Sequence, residues 1–322
     1  MSAPRRPTLD EIAAARTRLA PYVPRTPLLR LDLGLPDRQI FLKLETFSPI
    51  GAFKLRPALN ALLSRDPDAL RNGVATVSSG NMAYGMAWAA KALGVPMAAY
   101  MYSGAPRTKI DGVRNLGGDV RFISLETWWR YIVGAERPDI AELLINPVTD
   151  QAVLAGNGSI GVEIVEDLPD VDCVLSPYGG GGMTTGMASA VKALRPRAKV
   201  FAVEDENAAP VSAALAAGHI VEIETRPSFI KSIGGPSLVP QLWPVARDLI
   251  DGALTVSLVE VTAAMRLLFS KAKVVAEGAG AASLAAALSS PRATGNVVCI
   301  VSGGNIDAET YAQVLAGGIP RG

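Results

Sequence analysis

The stretch Asp172 to Leu194 reads D-C-V-L-S-P-Y-G-G-G-G-M-T-T-G-M-A-S-A-V-K-A-L. An apolar strand ends at Tyr178, four glycines follow at Gly179, Gly180, Gly181 and Gly182, and a helical pattern opens at Met183. Residues without side chains leave several backbone N–H groups free to converge on one anion. The helix behind them points its positive end at the same place. A small phosphate suits that geometry. The dinucleotide pattern G-x-G-x-x-G is not met, because Thr184 or Thr185 falls where its last glycine belongs. The nucleotide pattern G-x-x-x-x-G-K-[ST] fails as well, since Met187 follows Gly186. A structureless turn is the plain alternative, but four glycines in a row cost much chain entropy.

Outward from this stretch, strands alternate with alanine-rich helical patterns. Strands are predicted at Ile40 to Leu44, Gly73 to Val77, Pro96 to Met101, Asp119 to Ile123, Asp172 to Ser176, Lys199 to Glu204, Ala253 to Ser257 and Asn296 to Ser302. Runs such as M-A-W-A-A-K-A-L and V-T-A-A-M-R-L-L-F-S-K-A predict helices between them. Short apolar runs spaced by helices mean an α/β chain with parallel sheets covered on both faces. The strands fall into two clusters that part near Ile145 to Asp150, which predicts two domains. Three strands run into small-residue turns: Val77 into S-S-G-N, Ser176 into P-Y-G-G-G-G, and Ile300 into V-S-G-G-N. Ligands of open α/β sheets bind outside the carboxyl ends of strands, so three such turns can line one cleft. Each alone is also ordinary turn chemistry.

The composition excludes whole classes. The 322 residues carry 31 Lys plus Arg against 30 Asp plus Glu, and 6% aromatics, so neither charge nor base stacking points to nucleic acid. No apolar run approaches the roughly 20 residues of a membrane span. The N-terminus M-S-A-P-R-R-P-T-L-D has no apolar signal core, which predicts a cytoplasmic protein. Cys173 and Cys299 lie in apolar strand-like runs and read as buried thiols, not a disulfide scaffold. His219 is the sole histidine and sits in A-A-G-H-I-V-E-I, a helix end leading to a strand. One histidine and two buried cysteines leave no Ser-His-Asp triad or zinc site in prospect. The reactive group must come from lysine, carboxylates, hydroxyls or a cofactor.

Lysine is available in a telling place. After I-F-L-K-L-E the chain continues T-F-S-P-I-G-A-F-K-L-R-P-A-L-N-A-L-L. Proline is tolerated near a helix start, so Pro57 predicts a helix from about Arg56. Lys54 then lies in the turn at the positive end of that helix, beside Phe53. An amine near another cation and apolar surface has its pKa lowered and can form a Schiff base. A solvated surface lysine is the bland reading; the phosphate cup and the lack of another reactive centre argue against it.

These residues resemble the fold-type II pyridoxal-phosphate enzymes, the group containing serine and threonine dehydratases and serine racemase. The lysine motif K-L-E-T-F-S-P-I-G-A-F-K-L-R carries the likeness. With it come S-S-G-N-M-A-Y-G, A-P-R-T-K-I-D-G-V-R-N-L-G-G-D-V, A-G-N-G-S-I-G-V-E-I, G-G-G-G-M-T-T-G, V-E-D-E-N-A, V-A-E-G-A-G-A-A and V-S-G-G-N, in the family's order and over nearly the whole chain. The resemblance implies a tryptophan synthase β-like α/β fold: two open twisted, mostly parallel sheets flanked by helices, with pyridoxal 5′-phosphate in the interdomain cleft. It implies a large cofactor-binding domain of residues 1–72 and 149–322, and a small mobile domain of residues 73–148. Lys54 would carry the cofactor and serve as base at the substrate Cα, with Phe53 beside it. Asn81 would bond the ring hydroxyl, Gly179, Gly180, Gly181, Gly182 and Met183 the phosphate, and Ser302 would face the ring nitrogen. Glu277, in V-A-E-G-A-G-A-A, joins the cofactor set. Ser78, Ser79, Gly80, Asn81 and Met82 would hold the substrate. A hydroxyl at Ser302 does not fix a proton on the ring, which favours β-elimination over a long-lived carbanion. The implied activity is dehydration of a β-hydroxy-α-amino acid such as L-threonine or L-serine to a 2-oxo acid and ammonia, by a homodimer.

Departures bear on substrate. Met82 stands where the family usually has histidine, Pro57 replaces a common glycine, and Lys231 and Ser232 stand where relatives tend to show Asp-Gly. A cation site of some relatives is matched by Glu204 and the Ala208 carbonyl, but Pro210 replaces its aspartate, so no metal is predicted. Three alternatives stand: a racemase with Ser79 as second base, a β-replacement enzyme, and a dinucleotide-binding protein in which Glu204, about 20 residues after the glycines, holds a ribose.

Overall fold

The apolar runs pair as buried parallel strands. In the computed structural model, which describes residues 3–321, the strands among the described residues form two sheets. They are β1 (Leu28–Leu31), β2 (Arg38–Leu44), β3 (Val74–Val77), β4 (Met97–Tyr102), β5 (Asp119–Ile123), β6 (Leu143–Ile145), β7 (Cys173–Pro177), β8 (Lys199–Asp205), β9 (Ala253–Val256) and β10 (Gly295–Val301). The larger sheet has the order β1-β2-β10-β7-β8-β9 and is parallel except for β1 against β2. The smaller, β5-β4-β3-β6, is parallel throughout. The strand clusters along the sequence are therefore not the sheets. β2 leaves the first cluster to lie beside β10, with Ile40 opposite Val297.

Both faces of the larger sheet are covered, and β10 shows how. Val297, Cys299 and Val301 face one core with Ala281, Leu284 and Ala285 of helix Gly278–Ser289. Val298 and Ile300 face another with Ile160, Ile164, Met187 and Val191 from helices Gln151–Asp167 and Gly182–Leu194. The two-residue period of the strand sends alternate side chains into two dry interfaces, which is why the run reads as continuously apolar. Cys173 and Cys299 are both buried and free, and burial pushes the Cys173 thiol up to about 12.

Two sequence expectations need correcting. The run after His219 is not a strand. Helix Pro210–Ala217 ends at Gly218, whose φ of +78° turns the chain out, and residues 219–223 are irregular. β8 has β7 and β9 as its neighbours, and residues 219–223 pair with neither, Ile223 N–H going to the Pro236 carbonyl instead. The helix after the lysine motif starts at Leu55, one residue earlier than predicted, with Lys54 as its capping residue. β1 and β6, short and each followed closely by a turn, were not expected at all. No helix among the described residues is long and apolar enough to cross a membrane.

Candidate active site

The carboxyl ends of β3, β7 and β10 meet at one cleft of about 420 Å³. Its lining includes Phe53, Lys54, Ser78, Ser79, Gly80, Asn81, Met82, Gly179, Gly180, Gly181, Gly182, Met183, Glu277 and Ser302. The fold thus brings together every side chain that sequence reasoning assigned to the site.

Lys54 reaches the cleft because its loop is stitched to the end of β10. Phe53 N–H donates to the Ser302 carbonyl (3.0 Å), Gly304 N–H to Gly51 (2.9 Å), and Ala52 bridges Gly303. Two residues on, Arg56 anchors the helix in a buried cluster. Its guanidinium bonds Glu45 (2.9 Å) and Glu163 (2.7 Å), and Lys43 Nζ bonds the other Glu163 oxygen (2.6 Å). Two cations and two carboxylates balance there, the condition under which buried charge is tolerated. Lys54 itself has no such partner. Its amine lies 4.8 Å from the Phe53 ring centroid, makes no recorded hydrogen bond, and is lowered by burial from 10.5 to about 8. A poised amine results.

The glycine loop presents unspent donors. The N–H groups of Gly179, Gly180, Gly181, Gly182 and Met183 have no acceptor among the described residues. Gly181 has φ +92°, and a Cβ there would collide with the Tyr178 hydroxyl. A Cβ at Gly179 would lie 2.6 Å from the Ser232 carbonyl oxygen. Side chains are excluded on both counts. Free amides at the start of helix Gly182–Leu194, beside a desolvated lysine amine, fit a group bearing both a phosphate and an aldehyde. The residues present therefore suit pyridoxal phosphate.

On the facing side, helix Asn81–Leu93 opens with the amides of Ser79, Asn81 and Met82 equally unengaged. Ser79 Oγ accepts the Tyr102 N–H at 2.8 Å, which leaves its own proton to donate. Asn81 is fixed from two sides: its Nδ2 donates to Glu277 Oε1 (2.6 Å) and its Oδ1 accepts from Asn305 Nδ2 (2.9 Å). Glu277 Oε2 takes the Lys109 ammonium (2.8 Å), which also reaches Ser232 Oγ at 3.1 Å. Lys109 and Asn305 were quoted in motifs but given no role by sequence reading. Lys109 shares a buried helix face with Ile110 and Val113, and that placement was the signal available.

At the position that matches the relatives' cation site, the Glu204 carboxylate is spent on a helix N-terminus. Pro210 starts a helix whose first amides take both oxygens of Glu204: Val211 N–H to Oε1 (2.7 Å), and Ser212 N–H and Oγ to Oε2 (2.9 Å each). No group of three or more His, Cys, Asp or Glu among the described residues is arranged to hold a metal.

Comparison with known proteins agrees with this geometry. The family model for pyridoxal-phosphate dependent enzymes matches residues 19–303. The chain is 35% identical over 317 residues to the L-threonine ammonia-lyase of Geobacter sulfurreducens, covering 96% of this chain and 78% of that one. It is 33% identical over 310 residues to a serine racemase of Oryza sativa, covering 93% and 91%. The solved structure of maize serine racemase superposes with a TM-score of 0.84 at 32% identity, over 98% of each chain.

Proposed function

The chain belongs to the pyridoxal-phosphate dependent enzymes, and from that membership we propose that it dehydrates a β-hydroxy-α-amino acid such as L-threonine or L-serine to a 2-oxo acid and ammonia. Its fold is fold-type II and its cofactor is pyridoxal 5′-phosphate. The observation that carries the reading is the desolvated Lys54 amine facing unspent amides of the glycine loop, in a chain similar to threonine ammonia-lyases.

When bound, pyridoxal phosphate supplies a ring that draws electrons from the Cα of an attached amino acid. Gly179 to Met183 would hold its phosphate through N–H groups, and Lys54 would carry it at the aldehyde carbon. The amides of Ser79, Asn81 and Met82, at a helix N-terminus, would bind the substrate carboxylate. The Lys54 amine, lowered by burial to about 8, would take the Cα proton. Ser302 would offer a hydroxyl to the ring nitrogen and so leave electron withdrawal weak, which favours loss of the β-hydroxyl. Glu277 and Asn305 fix Asn81 from two sides, and Asn81 would bond the ring hydroxyl. Residues 73–148 form the small unit that closes on the substrate, and the protein works as a cytoplasmic homodimer.

The second reading is racemisation, favoured by the likeness to serine racemases, with Ser79 as base on the opposite face. The Tyr102 N–H bond makes Ser79 a donor and supports carboxylate binding instead. Holoenzyme given L-serine or L-threonine is expected to release ammonia and oxo acid, and borohydride is expected to fix the cofactor on Lys54. A label on another lysine refutes the assignment. Fast interconversion of serine enantiomers with little pyruvate replaces dehydration by racemisation.

A further inference from the structure

Helix Leu125–Ile132 has the sequence L-E-T-W-W-R-Y-I, which places Leu125, Trp128, Trp129 and Ile132 at i, i+3, i+4 and i+7 on one face. Ile132 joins a core cluster with Val77 and Tyr100, and the two tryptophans pack against that cluster, yet all four residues also line the cleft. Ile132 is buried and the two tryptophans are partly buried, while Leu125 is 61% exposed. Tyr102 extends the wall, its ring edge-on to Trp128 at 5.8 Å, and Val239 completes it. The Trp128 indole N–H is buried with no acceptor among the described residues. The acceptor it would take from a ligand is the substrate's β-hydroxyl oxygen or, more weakly, the π face of a ring.

The other sides of the cleft are already committed. Lys54 and the glycine loop serve the cofactor, and the amides from Ser79 to Met82 serve a carboxylate. The aromatic wall remains for a β-substituent to meet, beside Thr225, Lys231, Ser232 and Ser237. The hydroxymethyl of serine or the methyl of threonine would leave most of it bare, and apolar surface in a cleft is stabilised only when a ligand covers it. An acidic side chain would meet no free buried cation there: Lys109 is paired with Glu277 at 2.8 Å, and Lys231, which also lines the cleft, is exposed to solvent.

We propose that the preferred substrate carries an aromatic ring on its β-carbon, the class of 3-phenylserine, with Trp128, Trp129 and Tyr102 as specificity-determining residues. This rests on the β-elimination reading above. The Cα–H and Cβ–O bonds break, the hydroxyl leaves as water, and the released enamine takes a proton at Cβ. Hydrolysis of the resulting imine returns one water and gives phenylpyruvate and ammonia, with no oxidant or reductant consumed.

The test compares holoenzyme kcat/KM for the stereoisomers of 3-phenylserine, L-threonine, L-serine and 3-hydroxyaspartate. The best phenylserine isomer is expected to exceed threonine by at least about tenfold, the discrimination a few apolar groups provide. Trp128→Ala and Trp129→Ala are expected to collapse that ratio. Calorimetry adds a readout free of turnover: phenylalanine, which lacks the leaving hydroxyl, should bind at least about tenfold tighter than alanine of the same configuration. The wild-type ratios decide the matter even where a variant does not fold. Threonine, serine or hydroxyaspartate turned over as well as phenylserine overturns the inference and leaves β-elimination standing. Failure to eliminate from any of these substrates overturns both.

Discussion

Replacing Lys54 by methionine should make the cofactor-free protein more stable, and the size of the gain follows from the cleft. Burial lowers the Lys54 amine from 10.5 to about 8. At about 1.4 kcal/mol per pKa unit, holding this group charged in the fold at neutral pH costs at most about 3.5 kcal/mol. Methionine keeps much of the volume, removes the charge, and breaks no recorded hydrogen bond. The sign follows from proton counting. Between pH 8 and 10.5 the unfolded chain keeps the Lys54 proton and the folded chain has lost it, so wild-type stability rises with pH across that window. Below about pH 8 the variant should lead by the full difference, and by pH 10.5 the lead should vanish. Other lysines titrate in both proteins and cancel. Urea unfolding of the two proteins, stripped of cofactor, at pH 7 and at stepped values up to 10.5 measures the gap. A variant no more stable than wild type at pH 7, or a gap independent of pH, refutes the idea of a desolvated, unpartnered amine. The gain has a functional cost, since the group that destabilises the empty fold is the one the reaction needs.

Three further outcomes are expected. Ser302→Asp should place a proton on the ring nitrogen, alter the absorption seen with substrate and slow oxo-acid release; if spectrum and turnover are both unchanged, Ser302 does not face the ring. Ser79→Ala should raise KM while turnover still gives oxo acid from one enantiomer; loss of solvent deuterium exchange for one enantiomer alone would instead mark Ser79 as a racemising base. Gly181→Ala forces a left-handed backbone on a residue with a Cβ, at φ +92° and against Tyr178. That strain of about 1–2 kcal/mol should weaken cofactor binding by roughly tenfold in equilibrium dialysis, and unaltered affinity would show that the loop adapts.

Much of the site was legible because its parts are local. Strand-turn-helix units carry their own signatures: an apolar run, a break of small residues, a helical period. Gly179 to Gly182 could be read as an anion cup from a few neighbouring residues, whereas the turns at Ser78 to Asn81 and Ser302 read locally only as lining for a cleft, their roles being implied by the family resemblance. Lys54 was legible through Pro57, which marks a helix start, although the helix begins at Leu55. The unbroken apolar run along β10 likewise announced a sheet buried on both faces.

What the sequence by itself determined, then, is the set of chemical units and the parallel class of the sheets. The tertiary structure decided how they meet. Lys109 lies 168 residues from Glu277, and Asn305 lies 224 from Asn81, so no local pattern could pair them. β2 sits beside β10 and not beside the strands that follow it in the chain. H-I-V-E-I alternates like a strand yet stays irregular, joining neither sheet. The stripe from Leu125 to Ile132 could have been plain core, and packing set it both against a core cluster and along the cleft. Backbone and turn chemistry act over a few residues, whereas pairing, charge compensation and cavity walls depend on which surfaces remain free once the sheets have formed.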